Sequence, residues 1–205
     1  MKVLFAPGCA LREYKPELIS KVIQFLTENN VIDDTYLTCC KIESIQNEKT
    51  VMINCCPGCS HKFETLGSDI TTVSLWKILL DTEFPFPDYH GEKMSIQDAC
   101  HARNRNSSEM QESARALCER MNINIIEPMH TRDGARCCGG CAQNDLETRR
   151  KMAQKRAEDF PENNVVVYCT GCTRSLSITN VKPRHLLDLL FGEFTEGLKP
   201  KGWAD

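Results

Sequence analysis

The sequence predicts an α/β protein made of two similar halves, each with a mainly parallel sheet, related by internal duplication. Three observations lead there. Short β-rich runs alternate with helical stripes along the chain. The order strand, Cys, helix, Cys-Cys, strand, Cys-x-x-Cys, leucine-rich segment occurs twice. The thiols stand just past the strands, where parallel sheets usually place their ligands. With 205 residues and 41% apolar content, the chain can bury a core, in one domain or two small ones, without disulfides.

In chain order, residues 2–6 read as a strand running into Cys9. Pro16 suits the first turn of a helix whose apolar stripe is Leu18, Ile19, Val22, Ile23 and Leu26, and Asn29-Asn30 ends it. Cys39-Cys40 follow, then a strand at residues 50–53 leading into Cys56-Pro57-Gly58-Cys59, then the apolar stretch 73–80. The segment 84–92, with Pro85, Pro87 and Gly91, reads as a connection and sets the expected halves at residues 1–88 and 89–205. The second half repeats the order. Residues 94–99 run into Cys100, and Ser107 or Ser108 caps a helix with the stripe Met110, Ala114, Leu117, Cys118 and Met121. Cys137-Cys138 come next, then a strand at 165–168 leading into Cys169-Thr170-Gly171-Cys172, and residues 184–190 close the half.

A net charge of −3 with no basic block argues against a nucleic-acid partner. No apolar run approaches the roughly 18 residues of a membrane span. Too few apolar residues precede Cys9 for the core of a signal peptide, so a cytoplasmic, reducing location is expected. There, thirteen cysteines point to metal binding or redox chemistry ahead of structural cross-links.

Each Cys-x-x-Cys carries Gly at its third position, which lets two sulfurs turn toward one centre and leaves room for backbone N–H groups to approach them. Adjacent cysteines on an extended strand point to opposite faces. Cys137 and Cys138 therefore serve one centre only where the chain turns, and Gly139-Gly140 makes that turn inexpensive; Lys41-Ile42 offer Cys39-Cys40 no such help. Five thiols per half exceed the four ligands of a structural zinc and the usual four of a cubane cluster. The surplus favours iron and sulfide, with a bridging thiolate or an opened cube. A thiol–disulfide enzyme without metal would use Cys-x-x-Cys but not the other three thiols.

Other residues carry plainer readings. Cys118 reads as a core thiol on its helix stripe, and Cys55 as a non-ligand, because Tyr168 holds its place in the second half. Cys141 is either an added ligand or a free thiol. His101, the candidate catalytic residue, either serves a sulfur as proton donor or hydrogen-bond partner, or is tied to a nearby carbonyl. His61, His90 and His130 read as surface residues, and Arg149, Arg150, Lys151, Lys155 and Arg156 as a solvated helix face.

Cys, then Cys-Cys-Gly, then Cys-x-x-Cys, present twice, together with Asp98-Ala99-Cys100-His101, Arg103 and the closing segment 184–190, resembles the cysteine-rich CCG domain family. That family includes the B subunit of heterodisulfide reductase and the iron–sulfur subunits of lactate-utilisation and glycerol-3-phosphate oxidoreductases. The resemblance implies two Rossmann-like halves about a pseudo-twofold, noncubane 4Fe-4S clusters, one or two per chain, and a role in electron transfer or thiol/disulfide reduction. Carried over by position, one cluster would use Cys100, Cys137, Cys138, Cys169 and Cys172, and the other Cys9, Cys39, Cys40, Cys56 and Cys59. Expected partners are other redox subunits, iron–sulfur or flavin proteins, and a small thiol or disulfide substrate. The first half departs from the motif: Lys41 stands where it has glycine, and only residues 41–55 separate the Cys pair from Cys56, against 139–168 in the second half. The alternative is a zinc-stabilised, non-redox binding or scaffold protein of the same fold.

Overall fold

The first strand, β1 (Lys2–Ala6), pairs in parallel with β2 (Asp34–Thr35) on one side and β3 (Thr50–Asn54) on the other. Beyond β3 lies β4 (Ile70–Ser74), also parallel, which gives the order β2-β1-β3-β4. The connections hold α1 (Cys9–Tyr14), α2 (Pro16–Glu28) and α3 (Pro57–Glu64), and α4 (Leu75–Leu80) follows β4. The second sheet is built the same way, β6-β5-β7-β8, from β5 (Glu92–Gln97), β6 (Ile123–Ile125), β7 (Asn164–Val167) and β8 (Lys182–His185). Its helices are α5 (Ser107–Arg120), α6 (Leu146–Ala157), α7 (Thr170–Leu176) and α8 (Leu186–Leu190). This computed structural model describes residues 1–38, 49–103, 107–142 and 145–197. By its contacts the chain divides into Met1–Phe84 and Pro85–Asp205.

All strand pairings are parallel, and both sheets share one strand order, so the fold is α/β with two similar halves as the sequence predicts. Parallel strands are covered on both faces, which is why the central strands read as nearly continuous apolar runs. In the first unit, Phe5, Met52 and Ile53 on the sheet, Leu18 and Leu26 of α2, Phe63 of α3 and Leu75, Trp76 and Leu79 of α4 are all buried, and Met52 packs with Leu4, Ala6 and Phe63. The α2 stripe is buried except for half-exposed Ile23, and the helix stops at Asn29, with Asn30 at φ +53°. In the second unit the α5 stripe, Met110, Ala114, Leu117, Cys118 and Met121, is buried throughout.

The likeness extends to single positions. Ala6 on β1 is in register with Asn54 on β3, and Gln97 on β5 with Val167 on β7. Three residues past the first partner stands Cys9 or Cys100; two past the second stands Cys56 or Cys169. Next in register come Ser74 and His185 at the ends of β4 and β8. Each caps the helix that follows: Ser74 Oγ accepts from the Trp76 N–H and His185 Nδ1 from the Leu187 N–H, both at 3.2 Å.

The solvated-face reading of α6 needs one correction. Arg150, Lys151 and Lys155 are exposed and Arg149 is partly so, but Arg156 is fully buried. The buried face of α6 is Ala153, Arg156 and Ala157, an i, i+3, i+4 set in which the small alanines let the helix pack closely. Among the described residues no helix is long and apolar enough to cross a membrane.

Candidate functional site

In the second unit the candidate thiols reach one place from three segments. Cys100 opens the short 3₁₀ turn Cys100–Arg103 after β5; Cys137, Cys138 and Cys141 lie in the segment before α6; Cys169 caps α7 and Cys172 lies in that helix. Cys138 Sγ lies 3.2 Å from Cys172 Sγ, and Cys137 Sγ 3.2 Å from Cys141 Sγ. Cys137 also lies near enough to Cys100 and Cys138, and Cys172 to Cys169, for their sulfurs to influence one another's ionisation. Six sulfurs thus form one connected group, and Cys141 belongs to it. None of the eleven described cysteines is in a disulfide.

Cys137 is the hub of this group. Hydrogen bonds from Cys100 and Cys138 favour its thiolate over the opposing effect of burial, and the Cys141 thiol and N–H add to them, so its pKa is well below that of a free thiol. The neighbours shift the other way. Cys100 is raised by its bond to Cys137 and by burial; Cys138, raised mainly by Cys137 and eased by Cys172, reaches about 11; Cys172 is raised by its bonds to Cys138 and Cys169. Within the group, negative charge is therefore favoured at Cys137 over its neighbours, and a metal, which needs deprotonated ligands, would displace protons on binding.

Glycines shape the cradle. At Gly139 φ is +91°, and an added Cβ would stand 2.6 Å from the Arg149 carbonyl oxygen, so the turn that sends Cys137 and Cys138 to one group requires glycine. A Cβ at Gly140 would meet Cys138 Sγ at 3.6 Å, and one at Gly171 would meet Cys169 Sγ at 3.5 Å, both ordinary contacts. Gly139→Ala is expected to lower stability by at least about 1–2 kcal/mol from the left-handed backbone alone, while Gly140→Ala changes it by less than about 1 kcal/mol. Urea unfolding midpoints check the pair; equal midpoints would refute the strained-turn account.

Beneath the Cys100 turn lies a buried ionic network. Asp98, whose side chain is fully buried, accepts from Arg115 Nη1 and Nη2 at 3.0 and 2.9 Å, from the Arg132 N–H at 2.6 Å and from the Tyr168 hydroxyl at 3.1 Å. Arg115 also donates to Glu127, Nε to Oε1 at 2.6 Å and Nη2 to Oε2 at 2.9 Å. Tyr168 Oη in turn accepts from the Ala99 N–H at 3.1 Å, so the residues before Cys100 and before Cys169 are tied together. Burial pushes the Asp98 carboxyl up, but the bonds and charge of Arg115, with Arg132 and Tyr168, outweigh it and hold the group below the usual carboxylate range. Burial, then the Asp98 charge, raises Tyr168, which keeps its proton and can donate. Residue-type patterns in the sequence do not reveal this network.

The other candidates fall as follows. His101 is exposed on its turn and, among the described residues, makes no hydrogen bond to a cysteine. In the first unit Cys9 opens α1, Cys56 caps α3 and Cys59 lies in that helix's first turn. A Cβ at Gly8, where φ is +83°, would stand 3.2 Å from Cys59 Sγ, so the β1–α1 turn and α3 pack closely around that sulfur. Cys39 and Cys40 lie outside the described residues. Cys55 and Cys118 are fully buried, and burial pushes both thiols up, Cys118 to about 12; both behave as core thiols.

The donor set in the second unit suits a soft metal, since clustered thiolates select zinc or iron–sulfur centres, and the glycines leave space around the sulfurs. Among the described residues no three His, Cys, Asp or Glu side chains surround a common ion position. Residues 94–177, from within β5 to just past α7, match the family model CCG, the cysteine-rich domain. No curated protein and no solved structure matches the chain.

Proposed function

We propose, from the match of residues 94–177 to the CCG cysteine-rich domain, a setting that fits iron–sulfur or metal binding, that the chain is an iron–sulfur redox protein. The observation that carries the reading is the gathering of Cys100, Cys137, Cys138, Cys141, Cys169 and Cys172 into one group of interacting sulfurs. Six thiols are more than zinc can use in a closed four-ligand shell.

In this proposal Cys100, Cys137, Cys138, Cys169 and Cys172 hold a 4Fe-4S cluster of the noncubane type, and Cys141 stands beside Cys137 as a further donor. The matching positions Cys9, Cys39, Cys40, Cys56 and Cys59 hold a second cluster in the first unit. Such a cluster, when bound, supplies storage for single electrons. The chain's own residues do the rest. The Gly140 N–H donates to Cys138 and the Cys141 N–H to Cys137, stabilising negative sulfur. Asp98 and Tyr168 hold the Cys100 turn against the end of β7. Exposed His101 serves as a proton donor to an arriving sulfur. The chain then passes electrons between a partner iron–sulfur or flavin subunit and a small thiol or disulfide, as a heterodisulfide reductase B-like subunit.

Purification without oxygen, with iron, acid-labile sulfide and zinc determined and paramagnetic resonance recorded with and without thiols, tests the proposal. Iron and sulfide in similar amounts, with a resonance signal that changes on adding thiol, are expected. Stoichiometric zinc without sulfide would replace the reading with the zinc-stabilised scaffold. A preparation without metal that shows full dithiol activity would replace it with a thiol–disulfide enzyme.

A further inference from the structure

Next to the thiol group lies a cavity of about 400 Å³, in the size range of small-molecule sites. Its walls include Arg103, Arg136, Lys155 and Arg156, with Cys137 and Met152. The cations come from the Cys100–Arg103 turn, the segment before Cys137, and α6. Asp159 is the counter-ion for two of them, taking Arg136 Nη1 at 2.9 Å and Arg156 Nη1 at 3.1 Å, with His130 Nδ1 3.4 Å away. Against four cations stand only Asp159 and the Cys137 sulfur, so the cavity keeps a net positive charge. Like charges held together in a recess are costly unless something negative enters.

Arg156 is the second observation. It is fully buried, with Nε donating to Gln97 Oε1 at 2.5 Å, Nη1 to the His130 carbonyl at 2.9 Å, and its guanidinium 4.4 Å from the Phe160 ring centre. Among the described residues its Nη2 has no hydrogen-bond partner. Buried donors are nearly always satisfied, and a planar guanidinium is best matched by a carboxylate or phosphate. The fixed Arg156 head supplies geometry, while exposed Lys155 and Arg103 supply attraction at the rim.

We infer that this cavity binds a small anionic molecule carrying a carboxylate or phosphate group, with Met152 against its apolar part and Cys137 at its inner wall. The contact with Cys137 would make the anion a substrate or product of the thiol site. That role rests on the redox reading above, whereas anion binding itself does not.

Calorimetric titration of the anaerobically purified full chain tests the inference at fixed ionic strength. Inorganic phosphate and succinate are separate arms, with succinamide as the neutral probe, and Arg103→Glu and Lys155→Glu are run beside the wild type. Both substitutions lie at exposed positions, and circular dichroism verifies their folding. Binding in at least one anion arm, absent with succinamide and weakened about tenfold or more in each variant, is the expected result. No binding in either arm, equal binding of succinamide, or variants that bind as the wild type does would overturn it. Iron and sulfide measured on the same preparations separate the two ideas. Binding without iron leaves the anion site standing and removes the redox reading; iron without binding does the reverse.

Discussion

If the second unit holds the proposed cluster, Cys138→Ser and Cys172→Ser are each expected to remove most of its iron and sulfide, along with its visible charge-transfer absorption. Both sulfurs are buried and lie 3.2 Å apart, and Cys138 also accepts from the Gly140 N–H. Serine keeps the shape but replaces a soft, readily ionised sulfur with a hard hydroxyl that stays protonated, a poor ligand for iron. Because metal binding and folding are linked, the variants should also unfold more readily in anaerobic preparations. Cys118→Ala is the control. That thiol is equally buried but sits on the apolar stripe of α5, so its loss should cost packing energy and leave the iron content intact. Iron unchanged in Cys138→Ser and Cys172→Ser would reject these residues as ligands, and iron lost equally in Cys118→Ala would show that the assay reports folding alone.

The placement of the thiols along the fold was legible because covalent order survives folding: each half sends a cysteine three residues past one strand end and two past its neighbour, and register puts both at the same end of the sheet. The two helix stripes were legible for a related reason, since a 3.6-residue period is set by one element without help from others. Edge strands β2 and β6 escaped notice because two or three residues are too few to show any period. Arg156 was misjudged by residue type, although Ala153 and Ala157 on either side mark it as lying on the buried face. Asp98, Arg115 and Glu127 could not be joined from sequence, since they come from the end of β5, from α5 and from beyond β6, and meet only once the sheet has formed.

That network carries the largest stability effect expected outside the thiols. Asp98→Ala should destabilise the second unit by about 3–5 kcal/mol, because it leaves Arg115 inside the protein with its charge only partly answered by Glu127. It also strips an acceptor from the Arg132 N–H and the Tyr168 hydroxyl. Asp98→Asn keeps the shape and some of the hydrogen bonds and should cost less. Replacing both partners, Asp98→Ala with Arg115→Met, should cost clearly less than the two single changes added together, since neither charge is then left alone. The network also positions the Cys100 turn, because Tyr168 links Asp98 to the Ala99 N–H. Tyr168→Phe should therefore cost about 1–3 kcal/mol in stability, less than Asp98→Ala, yet alter the paramagnetic resonance line shape or reduction potential of the proposed cluster. A purely structural tyrosine would leave both unchanged, and simple addition in the Asp98–Arg115 cycle would show that the pair does not act as a unit.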